Sequence, residues 1–150
     1  MSELRSKAQR KKDVLAALAK NGDAWVATAS TAGKPRLIAA SFWWDGNDLV
    51  FATRQGNPTA KNLQSTRAAR VAIGPQDDVI MIDATLLEAV QVTNAKPEVS
   101  KGFVDAAGWD PAEEGSDWAF FRLRPDQIEA YRGYGELQGR LVMRESRWLS

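Results

Sequence analysis

The residues best suited to chemistry lie in one stretch, Leu49–Ile73, with the sequence LVFATRQGNPTAKNLQSTRAARVAI. The stretch predicts a strand, a polar loop, a short helix around Thr59–Ser65 and a second strand. A helix N-terminus carries free backbone N–H groups and the positive end of the helix dipole, so this junction predicts a phosphate site. Its loop and first helical turn concentrate hydroxyl, amide and cationic side chains: Thr53, Arg54, Asn57, Thr59, Lys61 and Asn62.

The composition excludes several kinds of site. The chain has 150 residues, no cysteine and no histidine. This excludes disulfides, thiolate nucleophiles, a Ser-His-Asp triad and metals bound by histidine or cysteine, and no metal site is predicted. If the protein is an enzyme, an external cofactor is expected to carry its chemistry. The net charge of +1 predicts neither nucleic acid nor an anionic membrane as a partner.

The N-terminal sequence predicts the location of the protein. It lacks the uninterrupted apolar region of a signal peptide, and no apolar run approaches the roughly 20 residues that span a bilayer. A cytoplasmic location is therefore expected.

The hydrophobic periodicity predicts a single domain, 1–150, of mainly β structure (α+β). Residues 1–21 predict an amphipathic helix that ends at Asn21-Gly22. Residues 24–94 and 118–149 predict strands of a barrel, and residues 96–117 predict a helix and an acidic loop. Because hairpins rather than helices join most successive strands, a doubly wound parallel sheet is excluded. The expected fold is a six-stranded antiparallel barrel with peripheral helices.

The strand Arg36–Trp44 is apolar on both faces. Alternation places Ile38, Ala40 and Phe42 on one face and Leu37 on the other. One face would line the barrel, and the second face needs a helix or another subunit to cover it. The pattern therefore predicts a homodimer.

The order of these motifs resembles the FMN-binding split β-barrel family related to pyridoxamine 5′-phosphate oxidase. The resemblance covers about residues 24–94 and 118–149. It extends to the C-terminal segment PDQIEAYRGYGELQGRLVMRESRWL. The residues that match the family's hairpin and helix-strand motifs are Ala27-Thr28 with Gly33-Lys34-Pro35, Trp44-Asp45-Gly46, Phe51-Ala52-Thr53, and Lys61-Asn62-Leu63 with Arg70-Val71-Ala72.

The resemblance implies a split β-barrel homodimer with two cofactors at the subunit interface. The cofactor phosphate would lie against the Thr53–Asn62 segment, and the ring would lie along Arg36–Ser41. Tyr134 and Arg140 are expected to contact a small-molecule substrate, and no catalytic residue is assigned. The expected cofactor-binding residues are Arg36, Ala39, Ala40, Thr53, Arg54, Thr59, Lys61 and Asn62.

The sequence departs from the family pattern at two positions. Many members place a phosphate-binding lysine four residues before the leucine of the "NL" pair, where this chain has Thr59. True pyridoxamine-phosphate oxidases hold their substrate with an Arg-x-His element, where this chain has Arg140-Leu141-Val142. Oxidation of vitamin B6 is therefore not the expected activity.

The family resemblance leaves two cofactors open, FMN and the deazaflavin coenzyme F-420. The deazaflavin carries a polyglutamate tail that needs additional cations along a groove. Five cations are candidates for that role: Lys34, Arg36, Arg54, Lys61 and Arg67.

Two classes of function follow. The first is a flavin- or deazaflavin-dependent oxidoreductase that transfers hydride between FMN or F-420 and a small organic substrate. The alternative is a non-catalytic protein that binds or sequesters a flavin, haem or another planar ligand. A nucleic-acid-binding barrel is the weakest hypothesis, because the net charge is close to zero.

Overall fold

The structure is a computed structural model, and it describes residues 4–150. Those residues form eight strands and three α-helices, joined by turns and short 3-10 segments. The helices are α1 (Lys7–Lys20), α2 (Pro58–Thr66) and α3 (Pro97–Ala107). The strands are β1 (Asp23–Ala29), β2 (Pro35–Trp44), β3 (Leu49–Arg54), β4 (Ala68–Ile73), β5 (Val79–Gln91), β6 (Trp118–Tyr131), β7 (Leu141–Arg144) and β8 (Arg147–Trp148).

Six of the strands close into an antiparallel barrel. Their order is β3-β2-β1-β4-β5-β6, and β3 pairs again with β6 to complete the ring. The short strands β7 and β8 extend the sheet beyond β6. Gly33 and Gly46 have positive φ angles of 82° and 97° in the two hairpin turns, a conformation that glycine adopts without strain. The predicted six-stranded barrel with peripheral helices is confirmed.

The barrel interior is filled by large apolar side chains. Phe51 stacks on Phe121 at a ring-centroid distance of 5.5 Å, and Leu49, Ile82 and Ile128 are fully buried around them. A filled interior leaves no room for a ligand, so a ligand has to bind outside the barrel or at its ends.

Helix α1 closes one end of the barrel and begins later than the sequence predicted. The prediction began the helix at the N-terminus, whereas residues 4–6 are not helical and residues 1–3 lie outside the described part. Ser6 caps the helix, because its hydroxyl accepts a hydrogen bond of 3.0 Å from the Gln9 N–H. Arg10, Val14 and Leu18, spaced by four residues, form the face that is buried against the barrel.

Helix α3 covers part of the barrel's outer surface. It packs on an apolar cluster formed by Val50, Ala52 and Phe120, with Phe103 of the helix fully buried. The indole of Trp43 joins this cluster, so a helix covers one end of the second apolar face of β2, as the sequence allowed. Across residues 4–150, no helix combines the length and the apolarity that crossing a bilayer requires.

Gly102 permits the close approach of α3 to the barrel. A Cβ atom at this position would lie 2.3 Å from the Trp43 ring. We expect Gly102→Ala to lower the free energy of unfolding by about 1–2 kcal/mol, because overpacking outweighs the better helix propensity of alanine. Urea denaturation would measure the change. Gly56→Ala is the control, since a Cβ there meets no atom within 4 Å. A Gly102→Ala protein as stable as the wild type would contradict the tight contact.

Candidate functional site

The junction between β3 and α2 is a capped helix start. The Asn57 Oδ1 accepts a hydrogen bond of 2.9 Å from the Ala60 N–H, and the Asn57 Nδ2 donates to the Thr53 hydroxyl at 2.5 Å. Pro58, the first helical residue, has no N–H. Because Asn57 caps the Ala60 N–H and Pro58 has none, the Thr59 N–H is the first-turn donor that remains without either constraint. The helix terminus therefore offers a ligand fewer backbone donors than the sequence predicted.

Side chains from β1, β2 and α2 meet at this end of the barrel. The Asn62 Nδ2 donates to the Thr28 hydroxyl at 3.1 Å, and both side chains are buried. Arg36 lies opposite Thr28 in the β1–β2 register, and Lys61 precedes Asn62 on the helix. Arg36 and Lys61 are exposed, and neither forms an ion pair with a carboxylate of residues 4–150. These two cations are therefore available to an anionic ligand.

Arg54, which the sequence predicts as a cofactor-binding residue, is paired with a carboxylate. Its guanidinium donates to both carboxylate oxygens of Asp117 at 2.9 and 2.8 Å and lies over the Trp118 ring at 5.1 Å. The hydrogen bond from Arg54 lowers the pKa of Asp117. Arg67 donates to the Leu86 carbonyl at 2.6 Å. Of the five cations considered for a polyglutamate tail, two are thus engaged within the protein, and Lys34, Arg36 and Lys61 remain.

The Thr59 hydroxyl is the feature of this junction that most directly suggests a ligand. The side chain is buried, and its Oγ1 has no hydrogen-bond partner among residues 4–150. A buried polar group without a partner costs about 1–3 kcal/mol, so an acceptor oxygen that reached this hydroxyl would remove the penalty. Because the hydroxyl is enclosed, such an oxygen can reach it only when the covering atoms move aside. The residues present fit an anionic group that is held mainly by side chains.

A cleft of about 450 Å³ lies on the outer surface of β1, β2 and β4. Small residues, Ala39, Ala40, Ala72 and Gly74, form much of its lining. Trp25 forms a wall, and its side chain is 54% exposed. The predicted ring-binding residues Ala39 and Ala40 therefore line a cleft whose floor lets a flat ligand approach the backbone. Arg36 lies three residues before Ala39 on the same strand, which is about 10 Å away.

The surface around the cleft is an apolar sheet face. Strand register places Leu37 beside Ala27, and Trp25 beside both Ala39 and Ala72. Leu37 is 63% exposed, on the part of β2 that pairs with β1 but not with β3. Helix α3 covers Trp43 but not this part of β2. Within residues 4–150 the predicted second cover is therefore only partly supplied.

The predicted substrate residues do not line the cleft within one protomer. Arg140 donates to Glu129 at 2.6 Å, and Glu129 is in register with Met81 of β5. Met81 is in turn in register with Ala72 of β4, which borders the cleft. Glu129 is thus four strands from Ala39, or roughly 19 Å around the barrel. Tyr134, in the turn after β6, is 92% exposed.

Sequence reasoning missed two residues of this region. Thr28 occupies an inward position of β1, between Val26 and the barrel end, where the alternation favours an apolar side chain. The hydroxyl at a position that favours an apolar side chain is the sequence signal that could have identified Thr28 as a site residue. Trp25 is one of six tryptophans in the sequence, and the alternating pattern around it fits a covered strand as well as an exposed one.

Comparison with known proteins gives likenesses in structure. No protein-family model matches the sequence, and no curated protein matches it. A protein named F420 reductase superposes with a TM-score of 0.63 at 18% identity, covering 75% of this chain and 93% of that one. A haem-binding protein from Mycobacterium smegmatis superposes with a TM-score of 0.66 at 19% identity, covering 89% and 57%. A pyridoxamine 5′-phosphate oxidase-related, FMN-binding protein from Nostoc punctiforme gives 0.53 at 15%, covering 83% and 78%.

These likenesses confirm the resemblance at the level of fold. The chain has the split β-barrel fold of pyridoxamine 5′-phosphate oxidase-like proteins, a fold that also carries a named F420 reductase and a haem-binding protein. Identities of 15–19% show a shared fold and leave the ligand to be argued from this chain's own residues.

Proposed function

We propose that this protein is a flavin- or deazaflavin-dependent oxidoreductase that acts on a small organic substrate as a homodimer. The observation that carries the proposal is the cleft of small residues on an exposed apolar sheet face, together with two available cations, Arg36 about 10 Å away along the same strand and Lys61 on α2. A planar ring fits the first feature and an anionic arm fits the second. When bound, FMN or F-420 would supply the hydride transfer that this chain's side chains cannot perform.

The chain's own residues would bind and orient the cofactor. Arg36 and Lys61 would neutralise the anionic arm, and the Thr59 and Asn62 side chains would supply short-range polar contacts. Ala39 and Ala40 would admit the ring, with Trp25 along one edge. A second copy packed on the apolar face around Leu37 would exclude water and strengthen electrostatic interactions in the site.

The cation count favours FMN as the cofactor. FMN has a single phosphate, which Arg36, Lys61 and Lys34 suffice to neutralise. A polyglutamate tail carries several carboxylates, and two of the five cations considered for it, Arg54 and Arg67, bond to Asp117 and to a backbone carbonyl. F-420 is the alternative cofactor.

A side-by-side titration tests the assignment. Purified protein would be titrated with FMN and with F-420, following fluorescence and heat of binding. We expect FMN to bind with a micromolar or lower Kd and F-420 to bind more weakly. Tighter binding of F-420 would reassign the cofactor. Failure to bind either one at micromolar concentration would refute the oxidoreductase proposal.

A sequestering protein for a flavin, haem or other planar ligand is the second candidate. It is favoured by the lining of the cleft, where Asp23 is the only titratable side chain among the described residues. Bound cofactor that exchanges no hydride with reduced nicotinamides or with candidate acceptors would support this alternative.

Lys61→Ala tests which residues hold the anionic arm. We expect it to weaken cofactor binding by about 1.5–3 kcal/mol, because a charge-assisted hydrogen bond to the phosphate is lost. Isothermal titration would measure the Kd. Lys20→Ala, at an exposed lysine of α1, is the matched control and should leave the Kd unchanged. An unaltered affinity in Lys61→Ala would mean that the phosphate lies elsewhere.

A further inference from the structure

A second cavity, of about 340 Å³, lies between the start of α3 and the outer faces of β3, β5 and β6. It shares no lining residue with the cleft on β1, β2 and β4. Its floor is mainly apolar, because strand register places Val90 beside Phe120 and Val50 beside Arg122. Val99 of α3 lines the cavity from the helix side. Small-molecule sites usually have volumes of roughly 300–1,000 Å³, so this cavity suits a ligand at the small end of that range.

The cavity has an excess of negative charge on its β5–β6 side. The guanidinium of Arg122 forms ion pairs with Asp45, with Asp48 at 3.3 Å and with Glu88 at 3.6 Å. This cation is therefore already engaged by carboxylates and is not available to an anionic ligand. Three carboxylates around one guanidinium leave a net negative charge, which repels an anionic group from this side.

Lys96 gives the α3 side of the cavity the opposite charge. Its side chain is exposed and forms no ion pair with a carboxylate of residues 4–150. Lys96 is also the N-cap residue of α3, where its side chain caps no backbone N–H, and the next residue is Pro97. The positive end of the helix dipole therefore adds to the charge of the lysine. The one acidic residue of the first helical turn, Glu98, does not line the cavity.

We propose that this cavity is a second ligand site, which binds a small carboxylate with an aliphatic body, such as a medium-chain fatty acid. The aliphatic chain would lie on Val50, Val90 and Phe120, with Val99 against its other side. The carboxylate would pair with Lys96. Burial of the apolar chain would supply most of the affinity, and the separated charges of the lining would fix the orientation of the ligand. The inference goes beyond the proposed function, because it requires neither the cleft nor its cofactor.

A titration of the wild-type protein with octanoate tests the site. The alanine and valine methyl groups would be labelled with carbon-13 and followed by NMR. We expect saturable shifts at Ala95, Val90 and Val99 with a Kd on the order of 0.1–1 mM, as suits a ligand of this size. The methyl groups of Ala39 and Ala40, which line the cleft, should not move. Shifts at those two alanines instead, or no shift at about 10 mM octanoate, would overturn the inference.

Two substitutions test the roles of the charge and of the volume. Lys96→Gln should weaken octanoate binding by about tenfold or more, because the charge that pairs with the carboxylate is lost. Lys20→Gln, at an exposed lysine of α1, is the matched control and should bind octanoate normally. Val99→Phe should fill the cavity and abolish binding, with circular dichroism to show that it folds. If it does not fold, the exposed position Lys96 still decides, since wild-type affinity in Lys96→Gln would overturn the inference.

Octylammonium distinguishes the two charged sides of the cavity, because it has the same chain as octanoate and the opposite charge. We expect it to bind about tenfold more weakly than octanoate, or weaker still. Equal or tighter binding would place the head group beside Glu88 and would overturn the assignment of a carboxylate. These results are independent of the cofactor titration. A protein that binds octanoate but neither FMN nor F-420 would refute the proposed function and support this inference, and the reverse result would overturn this inference alone.

Discussion

In the proposed homodimer, Leu37→Asp should disrupt the contact between the two copies and give a folded monomer. Leu37 lies on the exposed apolar face, so packing of two copies through that face would bury two aspartates, one from each protomer. An unpaired carboxylate taken out of water costs several kcal/mol, which raises the dimer Kd by about 10³-fold or more. Sedimentation equilibrium at micromolar concentration would measure the change. Cofactor binding should weaken in parallel, because the proposed homodimer excludes water from each site with its second copy.

Two controls separate the interface from general effects of the substitution. Leu37→Met keeps the apolar volume and should remain dimeric. Ala112→Asp adds the same charge to the exposed acidic loop, on a segment remote from β2, and should leave the dimer intact. Unchanged circular dichroism would show that the monomer is folded. A Leu37→Asp protein that sediments as a dimer would contradict the proposed interface and would move the second subunit to another surface.

The outline of the fold follows from local signals in the sequence. Alternating apolar residues and glycines at the hairpin turns fix which segments become strands, because strand period and turn chemistry depend on neighbouring residues. Gly33 and Gly46 occupy positive-φ positions in the predicted turns. The segments predicted separately around Trp118 and Tyr131 form one continuous strand, β6, despite Pro125. From the local sequence alone, a proline predicts the end of a strand. Here the strand continues, because Pro125 lies at a register shift in the pairing of β5 with β6.

The candidate site depends on partners that are distant in sequence, and there local signals fail. Arg54 was expected beside the phosphate, yet it pairs with Asp117, 63 positions away. No residue next to Arg54 or Asp117 in the sequence predicts this ion pair. Arg10 of α1 is buried and donates to backbone carbonyls more than 100 positions away. A helical pattern alone predicts that a cation is exposed to solvent, because the distant carbonyls that accept its hydrogen bonds cannot be identified from the sequence.

Glu136→Gln should lower the free energy of unfolding by about 3 kcal/mol at pH 7. The hydrogen bonds from the Arg5 guanidinium lower the pKa of Glu136 to about 2, from an ordinary value of 4.5. The Glu136 side chain is only 9% exposed, so solvent screens the interaction little. A glutamine keeps the shape and an acceptor oxygen, and it removes the charge that holds Arg5.

The lowered pKa of Glu136 determines how the free energy of unfolding changes with pH. Because the folded protein has the lower pKa, the unfolded chain binds the proton first as the pH falls. The stabilisation is therefore fully present above about pH 4.5 and disappears as the pH approaches 2. Wild type and Glu136→Gln should differ most near neutrality and converge in acid. Urea denaturation at a series of pH values would measure both curves, with Glu114→Gln in the exposed acidic loop as the control. Parallel curves from pH 7 to pH 2 would show that the Arg5–Glu136 pair does not stabilise the fold through charge.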